Sequence, residues 1–167
     1  MTVVSSVTDR EALTLTFVAD LEASPDRVWQ TWEDPRQLER WWGPPTWPAT
    51  FTRHDFVPGG RSTYSMTGPG PDGDAVHGFW AIHALQRPTR LEVEDGFADE
   101  SGQPSGDIGS TRMHVTLEES GGGTRMTVVS TFTSPEQLEA MFEMGMEEGM
   151  REAMGQLDAI LAGDDRL

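Results

Sequence analysis

Residues 134–161, SPEQLEAMFEMGMEEGMREAMGQLDAIL, carry the pattern that decides the fold. Ser134, Pro135 and Gln137 form a capping box with proline in the first turn, the signature of a helix start. Apolar or small residues then recur at the helical period through Leu138, Met141, Phe142, Gly145, Gly149, Ala153, Leu157, Ile160 and Leu161, and the pattern stops before Gly163. The spacing predicts one helix of about 27 residues, roughly 40 Å long at 1.5 Å per residue, enough to cross a whole sheet.

Upstream, Trp47 to Phe132 shows apolar alternation broken by turn chemistry and no helical period. The breaks are Pro58-Gly59-Gly60, Gly68 to Gly73, Arg87-Pro88, Ala98 to Gly109 and Gly121-Gly122-Gly123. Such short joins predict an antiparallel meander of about six strands. Before it, Ser24-Pro25 and Asp34-Pro35 are tandem helix starts, carrying Val28, Trp29 and Trp32, then Leu38, Trp41 and Trp42. Ala12 to Glu22 alternates with Leu13, Leu15, Phe17, Ala19 and Leu21 on one side, the period of a half-buried first strand. The order strand, two short helices, meander, long helix buries every apolar face if a curved sheet of about seven strands wraps the last helix. The expected class is therefore α+β. Residues 11–163 form one domain, 1–10 are disordered or extended, and 164–167 are a tail.

The chain of 167 residues is long enough for a core without staples. Twelve basic against 28 acidic side chains give a net charge of -16, which repels nucleic-acid phosphates and anionic lipid. Neither nucleic acid nor membrane insertion is expected. Every basic residue is Arg, which excludes lysine nucleophiles and Schiff bases, and the absence of Cys excludes disulfides and thiolate chemistry. Residues 1–11 hold Arg10 alone among basic groups and no apolar run, so neither a signal peptide nor an anchor is expected there, and the protein reads as cytoplasmic.

Four motifs occur in a fixed order: Arg27-Val28-Trp29, Trp41-Trp42-Gly43-Pro44, Asp55-Phe56-Val57-Pro58-Gly59-Gly60 and Met144 to Met150. With them the chain resembles, from about Leu13 to Leu161, the activator-of-Hsp90-ATPase-homologue-like proteins of the START/polyketide-cyclase/birch-pollen-allergen (SRPBCC) superfamily. The resemblance implies the helix-grip fold and a cavity between sheet and C-terminal helix, used elsewhere in the superfamily for mostly apolar ligands. It supplies no catalytic motif for positions here. Where relatives place a large aromatic in the third strand this chain has Ser62, which predicts a wider or more polar cavity there.

On the last helix, Gly145, Gly149 and Ala153 share a face, and two glycines inside a helix cost about 1 kcal/mol each. They serve either close helix–sheet approach or cavity volume. Met141, Met144, Met146, Met150 and Met154 crowd the same helix, and Met146 and Met150 lie beside the glycines. Strand parity places Ser62, Tyr64 and Met66 on one inward face and Leu91, Val93, Asp95 and Phe97 on another. Asp95 stands out, because an acid on an inward face must be hydrogen-bonded, protonated or in use. Trp41 and Trp42 sit where the helical lid would meet a ligand, and Trp80 lies on a meander strand. The candidate ligand wall is thus Trp41, Trp42, Tyr64, Met66, Trp80, Asp95, Phe97, Gly145, Met146, Gly149 and Met150.

The histidines do not make a metal site: His77 and His83 lie six apart on one strand, roughly 20 Å at about 3.3 Å per residue. No Gly-x-Ser-x-Gly elbow or phosphate loop is present. No metal, cofactor or catalytic set is therefore assigned. The leading expectation is binding of a small hydrophobic ligand without catalysis. Two alternatives stay open, a cyclase, dehydratase or hydrolase using Asp95 and Tyr64, and a module attending a chaperone ATPase. A chaperone partner is not expected, and a homodimer through a sheet edge stays open.

Overall fold

A computed structural model describes residues 3–69, 74–106 and 109–162, with the side chains of residues 3 and 4 left aside. Parts of the second predicted turn (70–73) and of the long loop (107–108), together with the tail 164–167, lie outside the described residues. The elements run β1 (Val3–Asp9), β2 (Thr14–Leu21), α1 (Pro25–Glu33), α2 (Pro35–Leu38) and β3 (Ala49–His54). They continue through β4 (Arg61–Thr67), β5 (Ala75–Gln86), β6 (Arg90–Ala98), β7 (Ser110–Ser120) and β8 (Gly123–Thr131). The chain ends with α3 (Pro135–Glu143), α4 (Met146–Gly155) and α5 (Leu157–Leu161).

The strands make one 8-stranded sheet in the order β1-β2-β8-β7-β6-β5-β4-β3, antiparallel at every pairing. The six-strand meander is present as β3 to β8. The strand beyond the expected count is β1, which pairs along β2 from Val3 opposite Asp20 to Asp9 opposite Thr14. It lacks the alternation that marks β2, where Leu15, Phe17, Ala19 and Leu21 are all buried. An edge strand needs only backbone partners and one covered face, so its pattern is weak.

Local capping follows the sequence. Ser24 Oγ accepts from the Arg27 amide at 3.3 Å, and Asp34 Oδ1 from the Arg36 amide at 2.9 Å. Ser134 Oγ accepts from the Gln137 amide at 3.1 Å, but Gln137 Oε1 reaches back to the Thr133 amide at 2.7 Å, one residue before the cap.

The single long helix requires correction: it is three shorter ones. Gly145 adopts φ +84°, in the left-handed region, and its carbonyl accepts from the Gly149 amide at 2.8 Å, so it ends α3 and caps α4. A second break falls at Gln156, whose side-chain amide donates to the Gly43 carbonyl at 2.7 Å and ties the helix to the segment after α2. The apolar period survives both breaks, because Leu138, Ala153, Met154, Leu157 and Ile160 are all buried against the sheet.

The core is aromatic at the end closed by α1 and α2. Trp32 meets Trp41 edge-on at 4.8 Å, and Trp42 meets Trp80 at 4.9 Å and Tyr64 at 6.0 Å. Ser62 is fully buried in this cluster. Its hydroxyl lies 2.7 Å from His54 Nδ1, while His54 Nε2 donates to the Trp32 carbonyl at 2.9 Å. A carbonyl only accepts, so Nε2 carries the proton, and in the neutral ring that burial favours Nδ1 accepts from Ser62. Serine here completes a core hydrogen-bond chain, and the predicted polar widening of the cavity at Ser62 does not occur.

Candidate functional site

A cavity of about 420 Å³ lies between the inner face of the sheet and the junction of α3 with α4. Methionines make much of its helical wall: Met141, Met144, Met146 and Met150, with Gly145 and Gly149 between them. The sheet contributes Tyr64 and Met66 from β4, Asp95 and Phe97 from β6, and Met113 and Ser130 from the β7–β8 pair. Trp42, Pro44 and Trp47, from the segment between α2 and β3, complete the wall.

Glycine shapes this wall in two different ways. A Cβ built on Gly149 meets only Pro44 Cγ, at 4.0 Å, so the missing side chain is open volume beside the cavity. Ala153, one turn on, is the residue of the stripe that packs fully buried. Gly145 is required by its backbone angle instead. Of the two readings of the stripe, cavity volume therefore applies at Gly149 and close packing at Ala153, while Gly145 lines the cavity and is held to glycine by its backbone angle.

The polar end of the cavity is built on β4, β5 and β6. Tyr64 stands opposite Gly78, and Asp95 opposite Trp80 on the same central strand. The Tyr64 hydroxyl crosses β5 and donates to Asp95 Oδ1 at 2.8 Å. It passes over Gly78, where a Cβ would lie 2.3 Å from Tyr64 Cζ. Burial drives the Asp95 carboxyl up from 3.8 to about 7, against the opposing influence of the Tyr64 hydrogen bond. Tyr64 is held well above the usual phenol range by its own burial first and by the neighbouring Asp95 charge second. The indole N–H groups of Trp42 and Trp80 point toward this pair and favour its charged forms, but both Nε1 atoms are buried without closing a hydrogen bond. The arrangement is a carboxyl poised near neutrality in a mainly apolar chamber, able to accept from or donate to a bound polar group.

The model for the family described as Activator of Hsp90 ATPase homolog 1-like protein matches residues 22–162. The chain belongs to this family. A protein of Arthrobacter aurescens, solved in solution, is 54% identical and superposes with a TM-score of 0.89 over 95% of this chain and 91% of that one. Protein Ms6760 of Mycobacterium smegmatis is 45% identical, with a TM-score of 0.87 over 95% and 97%. DynU16, from the dynemicin biosynthetic locus, shares the fold at 17% identity and a TM-score of 0.62, over 90% of this chain and 48% of its own. No curated protein matches the chain.

Within that family fold, the structure brings Trp42, Tyr64, Met66, Asp95 and Phe97 to one chamber with Gly145, Met146, Gly149 and Met150. Trp41 and Trp80 do not reach it. Trp41 is fully buried, its Nε1 donating to the Thr31 carbonyl at 2.9 Å, and Trp80 is fully buried behind Trp42. Adjacent tryptophans on a turn point different ways, and only the outer one meets the cavity. Pro44, Trp47, Val76, His77 and Thr111 line the chamber without having been singled out as ligand contacts. Trp47 had a signal: a Cβ on Gly68 would lie 2.6 Å from its ring, so the glycine marks where that ring rests. Among the described residues, no group of three or more His, Asp or Glu could hold a metal ion, and no helix is long and apolar enough to cross a membrane.

Proposed function

We propose that this protein binds a small, mostly apolar molecule in the cavity between the sheet and the α3–α4 junction. The observation that carries the reading is the chamber of about 420 Å³, walled by methionine and aromatic side chains and widened by the absent side chain of Gly149. Its volume falls within the range of ligand pockets, and thioethers adapt to irregular apolar shapes. The test is binding of the environment-sensitive dye 1-anilinonaphthalene-8-sulfonate and of its uncharged relative N-phenyl-1-naphthylamine. Saturable binding of the uncharged dye by the wild type, lost in a Gly149→Phe variant that remains folded, is the expected result. No saturable binding of either dye sinks the reading.

Acid–base catalysis on a hydrophobic substrate is the second reading, favoured by one observation: the Asp95 carboxyl, lifted to about 7, is hydrogen-bonded to Tyr64 inside the cavity. A group with its midpoint near the working pH transfers protons in both directions most effectively. Asp95→Asn would abolish turnover; turnover that survives the substitution excludes Asp95 as the proton-transfer group.

A further inference from the structure

We infer that the molecule held in this cavity carries a basic nitrogen on an otherwise apolar body, and that Asp95 is the group that holds the nitrogen. This rests on the cavity being a binding site and adds the chemistry of what enters it.

Among the described residues, Asp95 is the one carboxylate in the cavity wall, and no arginine lines it. No ion pair reaches Asp95 among the described residues. Its Oδ1 accepts from Tyr64, and no second donor closes a hydrogen bond on the carboxyl. The other titratable groups of the wall are Tyr64, from β4, and His77, from β5. From α3 and α4 the wall receives methionines and glycine, and from β7 and β8 Thr111, Met113 and Ser130, so among the described residues no arginine faces the carboxyl from the elements packed over it.

A half-buried carboxylate that faces an apolar cavity, with only the neutral Tyr64 hydroxyl and Trp80 indole N–H directed at it, has most to gain from a cationic donor, because the charge-assisted hydrogen bond forms in a low-dielectric surrounding. Trp42 and Tyr64, in edge-to-face contact at 6.0 Å, add aromatic surface that attracts a cation beside Asp95. The chain's net charge of -16 raises the local concentration of cations and repels carboxylate-bearing amphiphiles. A hydroxyl could also donate to Asp95, but it would leave the charge uncompensated, so the geometry favours the amine.

Three probes of one shape decide the matter: 2-naphthylmethylamine, 2-naphthylmethanol and 2-naphthoate, titrated at pH 7 by tryptophan fluorescence and by calorimetry in buffers of different ionisation enthalpy. The amine should bind at least about tenfold more tightly than the alcohol, and the naphthoate most weakly. Amine binding should release about half a proton per site, since it drives a carboxyl with its midpoint at about pH 7 to full ionisation. In Asp95→Asn the preference for the amine and the proton release should both vanish while the alcohol still binds. Alcohol binding equal to or tighter than amine binding overturns the inference and leaves the cavity reading standing; failure of all three probes overturns both. Should the variant not fold, the wild-type proton count decides alone, and amine binding without proton release overturns the assignment of Asp95.

Discussion

The hydroxyl of Tyr64 on β4 reaches Asp95 on β6 at 2.8 Å although a strand lies between them. Gly78 of β5 makes this reach physically available, because any side chain there would occupy the space of the tyrosine ring. The glycine, the phenol and the acid therefore form one unit spread over three strands.

Gly78→Ala should break that unit. Its Cβ would approach Tyr64 Cζ to 2.3 Å, forcing the ring off Asp95. A loss of about 1–3 kcal/mol is expected from the overpacking. Tyr64 is the one tyrosine of the chain, so tyrosinate absorbance reports it alone. In the wild type the phenol should resist ionisation well above pH 10, and in the alanine variant it should titrate closer to 10. Identical titrations in the two proteins would refute the arrangement.

Asp95 should make the fold lose stability toward alkaline pH. Its folded carboxyl, with a midpoint of about 7, binds a proton more tightly than the unfolded one at 3.8, so the penalty is absent below about 3.8, grows as pH rises, and is complete above about 7. The ceiling for a shift of that size is about 4 kcal/mol. Asp95→Asn should therefore gain on the wild type between pH 4 and pH 8 in thermal or urea unfolding. Parallel pH profiles would show that the carboxyl is not buried against its charge.

Gly149 inside α4 and Gly145 at its N-cap should respond in opposite senses. Gly149→Ala has room for its methyl and removes a flexible residue from a helix, so a gain of up to about 1 kcal/mol is expected. Gly145→Ala must place a side chain at φ +84°, and a loss of about 1–2 kcal/mol should follow. Urea denaturation of both variants would expose an error if the signs came out equal or reversed.

Ser62 and His54 should behave as a buried pair. Ser62→Ala leaves His54 Nδ1 without its donor, at an expected cost of about 1–3 kcal/mol. Burial lowers the His54 pKa below 6.5, so its unfolded form takes a proton first and the stability present above 6.5 declines as pH falls toward the folded value. A nuclear magnetic resonance titration showing His54 protonating above 6.5 would contradict this assignment.

Much of the fold was legible because burial imposes a period. The alternation of Leu15, Phe17, Ala19 and Leu21, and of Leu91 and Val93, marks faces that the structure buries. The caps at Ser24, Asp34 and Ser134 are local hydrogen bonds and were readable as such. The helix break was not, because Gly145 keeps the apolar period while adopting a backbone angle that the pattern does not encode. β1 was missed as a strand for the complementary reason, its contacts being chiefly backbone pairings with β2.

By itself the sequence determined the element order, the inward faces and the candidacy of Asp95, all of which depend on neighbours a few residues away. Tertiary structure alone decided that Trp42 faces the cavity while Trp41 and Trp80 pack behind it, that Ser62 serves His54, and that Gly78 lets Tyr64 reach Asp95. Periodicity tells which side of an element is withdrawn from water. Whether that side meets another side chain or an empty volume depends on how surfaces from distant segments fit together, and no single segment carries that information.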